Sequence, residues 1–136
     1  MRATDWSIGK EIGPLAVKPI SRTTLALFAG ASGDHNPIHI DTDVARSAGL
    51  DDVFAQGMLS MAYLGRLLTD LVPQEQLRRF VVRFTAIIPI HAAPICRGVV
   101  REIEERDGER LALLSLTVTL DNETTVLVGE AEIALD

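Results

Sequence analysis

The sequence predicts an α+β fold in which a curved antiparallel sheet wraps around one long central helix. Three observations carry that expectation. The run from Gly57 to Leu71 is apolar at nearly every position until Pro73 stops it, so it reads as a helix buried almost all round. From Phe80 onward the apolar period becomes two, in segments divided by turn residues. The chain has 136 residues, 47% hydrophobic and 24% charged, which suits one domain over 1–136 with its own core.

The elements follow in order. Trp6, read as a packing anchor, and Ile8 lead through Gly9 and Gly13 to a first strand over Leu15–Ile20. Ser21 is a good N-cap, with Leu25, Phe28 and Ala29 behind it at helical spacing. Past the Gly33–His39 loop, Asp41 or Thr42 caps a second short helix through Val44, Ala45 and Ala48, closed by Gly49. This short helical segment overhangs the central helix, on which Gly57, Ala62 and Gly65 are expected to let another backbone approach. Phe80, Val82, Phe84, Ala86 and Ile88 face one way, and Arg83 and Thr85 the other. A weaker strand spans Ile95–Glu104. Asp107-Gly108 signals a hairpin, whose flanking charges predict a loop longer than two residues. Leu111–Leu120 and Thr124–Leu135 alternate again, parted by Asp121-Asn122. Long apolar edge strands tend to pair with another subunit, so a dimer is expected.

Charge and motifs exclude much. Thirteen basic residues against nineteen acidic ones give a net charge of −6 with no basic run, which argues against nucleic acid. Neither a signal peptide nor a membrane-spanning stretch is legible, and the lone Cys96 suits a reducing compartment, so the expected location is cytoplasmic. Dinucleotide and P-loop fingerprints are missing, and Gly30-Ala-Ser-Gly33 is one residue short of a nucleophile elbow. His35 and His39 have the i, i+4 spacing of a helical zinc pair, but Pro37 between them argues against a helix, and no metal is expected. Ser32, Asp34 and His39 lie too close in sequence to form a triad. His91 is expected in solvent at a strand end.

Chemistry concentrates in Phe28-Ala-Gly-Ala-Ser-Gly-Asp-His-Asn-Pro-Ile-His39. Gly33 permits unusual backbone angles, and Pro37 keeps Asn36 out of the helical region. Asp34 and His39 are therefore held on a bent loop, as a proton-transfer pair would need. The residues alone leave a second reading open: a surface turn in which Asp34 and Asn36 bond to nearby backbone and His39 packs passively. Ser60, one turn into the central helix, has two readings as well, a bond to Asp34 or His39 or a buried hydroxyl satisfied locally.

This segment, with Ala45 downstream, resembles the hydratase motif of the MaoC-like dehydratases, also called (R)-specific enoyl-CoA hydratases. The likeness continues in Gln56-Gly-Met-Leu-Ser-Met, in Val82-Arg-Phe-Thr-Ala-Ile-Ile-Pro and in Gly129-Glu-Ala, and so covers nearly the whole chain. It extends to the small subunits of (3R)-hydroxyacyl-ACP dehydratases. The resemblance implies a hotdog fold and reversible syn hydration of trans-2-enoyl thioesters, carried by CoA or acyl carrier protein, to the (3R)-3-hydroxyacyl form. It implies Asp34 and His39 as the catalytic pair acting on one water, and the Gly57 amide as oxyanion donor. Gly33, Asn36 and Ser60 are supporting residues, and no cofactor is implied. Relatives commonly carry His where this chain has Gln56.

Two other readings belong beside this one. A hotdog acyl thioesterase usually places its carboxylate on or just before the central helix, where this chain has only Asp51, Asp52 and the distant Asp70. Alternatively the chain is one subunit of a heterodimer, and its intact Asp34 and His39 then make it the catalytic one. Met58, Met61 and Leu64 are candidates for an acyl tunnel, and Arg22, Arg83 or Arg97 for a phosphate contact.

Overall fold

The computed structural model describes residues 3–135; Met1, Arg2 and Asp136, part of the expected domain, lie outside them. In chain order the elements are β1 (Glu11–Ala16), α1 (Arg22–Ser32), α2 (Thr42–Ser47), α3 (Gly57–Thr69), β2 (Leu77–Phe84), β3 (Ile95–Arg106), β4 (Glu109–Thr119) and β5 (Thr125–Leu135). The strands form one antiparallel sheet in the order β1-β3-β4-β5-β2. Its inner face carries Val100, Leu114, Leu116, Val118, Leu127 and Ile133, all buried in one cluster with Leu64 and Leu68 of α3. A fully buried leucine contributes about 1.5–3 kcal/mol relative to an exposed one, so this layer is a main source of stability.

The expectation of a curved sheet wrapped around a long helix is not met. The sheet is open, with β1 and β2 at its edges, and α3 has only 13 residues and lies against the sheet without being enclosed. Leu59, Ser60, Leu64, Leu67 and Leu68 are buried, whereas Gly57, Met58, Ala62, Arg66 and Thr69 face outward. Apolarity misled here because the outward stripe itself contains glycine, methionine and alanine, so few polar residues mark it. The helix glycines also serve differently from expectation. A Cβ at Gly57 would sit 3.4 Å from the Phe84 ring, and one at Gly65 would sit 3.4 Å from the Phe80 ring. They make room for aromatic rings of β2, not for another backbone.

Local chemistry explains most boundaries. Ser21 accepts from the Thr24 N–H and caps α1, a bond worth about 1 kcal/mol. Asp41 caps α2 through the Asp43 N–H. The first strand lies earlier than expected, because Val17 and Ile20 make only scattered bonds to the Pro94 and Ala92 carbonyls and Pro19 has no N–H to give. The hairpin after β3 is the short two-residue form. Arg106 pairs directly with Glu109 across Asp107 and Gly108, whose φ angles of 53° and 78° suit a type I′ turn. Arg106 meets Glu104 on its own strand and Glu132 on β5, so the flanking charges pair along and across the sheet and do not open the loop. Among the described residues no helix is long and apolar enough to cross a membrane.

One ion pair frames the region ahead of α3. Arg22 donates to both oxygens of Asp52, at 2.9 and 2.6 Å, and the Thr42 hydroxyl donates to the same carboxylate at 3.2 Å. The Arg22 guanidinium, helped by the Val53 N–H, holds the Asp52 carboxyl well below the usual carboxylate range. A folded-state pKa below the unfolded one gives stability that is complete above about pH 4 and is lost as pH falls further. Wild type and Asp52→Asn should therefore differ most in urea midpoint at neutral pH and begin to converge as pH falls below about 4, the gap continuing to narrow below about 3. A gap that stays constant over that range would show that the pair contributes nothing.

Candidate active site

The loop after α1 is fixed by a relay of short side-chain bonds. Gly33 closes the helix at φ 78°, its N–H donating to the Ala29 carbonyl at 3.1 Å. The Ser32 hydroxyl donates to the Phe28 carbonyl at 2.6 Å and accepts from the Asp34 N–H at 3.2 Å, which makes it a brace for the loop. Asp34 Oδ1 accepts from the Asn36 N–H at 3.3 Å, and Asn36 Oδ1 from the Ile38 N–H at 3.1 Å. The latter bond caps a single 3-10 turn, Pro37–His39, so His39 sits on a turn and not on open loop.

That turn buries His39 to 8% exposure and presses its ring edge-on against Phe54, centroids 4.8 Å apart. His39 Nδ1 lies 2.8 Å from the Phe54 carbonyl. A carbonyl only accepts, so Nδ1 carries a proton, and in the neutral form of the ring Nε2 presents the lone pair. Nε2 faces Asp34 Oδ2 at 3.8 Å, too far for a direct hydrogen bond. The Asp34 side chain remains 43% exposed. Two acceptors thus face each other across a gap, one buried and one open to solvent. His35 is exposed.

Three residues past Phe54, α3 opens on Gly57 with no side-chain cap, beside a cavity that neither Asp34 nor His39 lines. Its first amides therefore carry the free N–H groups and partial positive charge of a helix N-terminus. That cavity, of about 330 Å³, is lined by Phe54, Gly57, Ser60, Phe84, Ile87 and Ile88, among others. Phe54 belongs to both places, holding His39 and walling the cavity. The Ser60 hydroxyl donates to the Gly57 carbonyl at 2.7 Å, the locally satisfied reading, and not to Asp34 or His39. Leu64 is packed in the core, Met61 is half-buried and Met58 is exposed; none of the three lines this cavity. Of the arginines, Arg22 is engaged by Asp52, Arg97 donates to the Thr119 hydroxyl, and Arg83 lines a separate cavity over β2, β4 and β5.

Sequence reasoning missed Phe54 and the wall from Phe84 to Ile88. Phe54 holds His39 Nδ1 through a backbone carbonyl, which any residue supplies, and its ring contact with His39 spans fifteen positions, which no local pattern marks. The Phe84–Ile88 alternation was visible but read as continuous strand. In fact β2 ends at Phe84, and the Thr85 and Ala86 amides both turn to the Val126 carbonyl.

The family described as a MaoC-like domain matches residues 4–122. The chain belongs to the MaoC-like family. It is accordingly a hydratase/dehydratase-type enzyme, on an α+β fold of the hotdog type. The 3-hydroxyacyl-thioester dehydratase Z of Mycobacterium tuberculosis is 26% identical to this MaoC-like chain over 120 residues, 83% of it and 80% of the relative. A solved (R)-hydratase from A. caviae, involved in PHA biosynthesis, superposes with a TM-score of 0.86 at 21% identity, covering 98% of this chain and 100% of the other. The ChsH1-ChsH2 complex of Mycobacterium tuberculosis gives a TM-score of 0.82 at 16% identity, covering 96% and 98%. For the thioesterase alternative, α3 offers no carboxylate from Gly57 to Thr69. Asp52 is held by Arg22, and Asp70 lies 3.8 Å from Arg66 at the far end of the helix.

Proposed function

We propose that this chain catalyses reversible syn hydration of trans-2-enoyl thioesters, carried by CoA or acyl carrier protein, to (3R)-3-hydroxyacyl thioesters. The observation that carries this reading is the facing of Asp34 Oδ2 and His39 Nε2 at 3.8 Å, with His39 Nδ1 engaged by the Phe54 carbonyl. A carboxylate and a neutral imidazole so arranged can each accept a hydrogen bond from one O–H of a single water, leaving an oxygen lone pair free to attack C3. As that C–O bond forms, the alkene electrons move through C2 onto the thioester oxygen, and one water proton passes to the pair. The Gly57 amide receives the developing negative charge. The pair then returns a proton to C2 as the enolate collapses. Because hydroxyl and proton come from one group on one face of the alkene, addition is syn. Asn36 and Gly33 act by fixing the loop. Asp34 and His39 thus have the acid–base roles, within a single hotdog domain over 1–136, and the reaction draws on no cofactor.

The assembly is a dimer, of two copies or of this chain with a second hotdog subunit. The open edge of β2 and the exposed Phe84 and Ile87 beside the cavity support that reading. In a mixed dimer this chain, bearing Asp34 and His39, is the catalytic member. The test is direct. The purified protein should bleach the enoyl absorbance of a trans-2-enoyl thioester, yield an (R)-configured product, and run in light scattering at twice 14.8 kDa or pair with its partner. Release of free thiol without loss of the alkene would identify a thioesterase, and a persistent monomer would refute the dimer.

A further inference from the structure

Gln56 stands at the N-cap of α3 but does not cap it. Its side chain is fully buried and crosses to α1, where Nε2 donates to the Leu25 carbonyl at 3.0 Å. Only the N–H end of the amide can face a carbonyl, so that bond fixes the orientation and turns Oε1 the other way. Among the described residues Oε1 is the one buried side-chain polar atom without a hydrogen-bond partner. A buried orphan acceptor is unfavourable, and an apolar side chain of similar length would remove both the bond and the orphan at little or no net cost. Stability therefore does not account for an amide at this position.

Position does. The short segment Phe54–Gly57 holds His39 through the Phe54 carbonyl. It holds α1 through Gln56, and α1 runs straight into Gly33 and Asp34. We propose that Gln56 is a positioning residue, whose amide locks α1 against the start of α3 and so sets Asp34 against His39 and both against the Gly57 amide. Its kinetic consequence rests on the hydratase reading above; its structural consequence does not. Displacement of reacting groups by an ångström can cost on the order of 10²-fold in rate, so a loosened strut is expressed in turnover before it is expressed in folding.

The test is Gln56→Met, with Gln56→His as the variant that restores an N–H donor. In Gln56→Met the thermal midpoint should hold or rise. Amide exchange at Asn36, Ile38 and Ile40 should quicken about tenfold while Leu64–Leu68 of α3 stay protected. kcat should fall about tenfold or more with KM changed far less, and Gln56→His should recover most of both effects. Unchanged loop exchange in Gln56→Met overturns the proposal, whatever the activity. So does a fall in thermal midpoint with uniform loss of protection, because Gln56 is then an ordinary contributor to stability. If the wild type hydrates no enoyl thioester, the functional reading fails separately, and loop exchange still decides the role of Gln56.

Discussion

Asp34→Asn is expected to keep the fold and to lower turnover of a trans-2-enoyl thioester by about 10²–10⁴-fold. The fold should survive because the side chain is 43% exposed and its one backbone bond, from the Asn36 N–H to Oδ1, can be made equally well by an amide oxygen. With that oxygen so engaged, the new NH₂ would face His39 Nε2. The proposed site works through two acceptors that hold one water between them. The substitution puts a donor where one acceptor stood, and an amide cannot take up the proton that the water must lose. A circular dichroism spectrum matching wild type, together with a collapsed kcat, is the expected pair of results. Turnover within about threefold of wild type would remove Asp34 from the proton transfer.

How far the candidate site was legible differs between its parts. Asp34, Asn36 and His39 stood out as candidates because Gly33 permits a bend and Pro37 restricts the backbone beside them, and the structure holds the loop by three consecutive side-chain-to-backbone bonds and one 3-10 turn. The orientation of His39 was not legible, since it depends on the carbonyl of Phe54, fifteen positions away, and carbonyls leave no mark in a sequence. Gln56 stands where relatives commonly carry His, yet its reach to Leu25 is a tertiary fact that no local pattern encodes.

The fold shows the same division. Caps at Ser21 and Asp41 were readable because capping is local chemistry. The strands β3, β4 and β5 were readable because one face is buried and the period is two. The enclosure of α3 was misread because apolar content says a residue can be buried, not that anything covers it. Met58 and Ala62 face outward, while Phe84 and Ile87 lie about half exposed beside the cavity. An apolar surface gathered around a site is what a bound acyl chain or a second subunit would cover.

The Gly57 amide calls for a substitution of a different kind, because no side-chain deletion removes a backbone donor. Gly57→Pro does. The residue occupies the first position of α3, where proline is well tolerated because its missing N–H has no partner inside the helix. Gln56 before it already has φ −57° and ψ 135°, the extended conformation that a following proline requires. The chemical loss is therefore confined to one donor. If that donor receives the thioester oxygen, kcat should fall on the order of 10²–10³-fold while helix content is unchanged. Steric effects need their own control, since a Cβ here would lie 3.4 Å from the Phe84 ring. Gly57→Ala supplies it, adding the same Cβ while keeping the N–H. A much larger loss in the proline variant than in the alanine variant assigns the charge to the amide. Equal losses would make the effect one of crowding against Phe84, and the oxyanion would have to be stabilised from elsewhere.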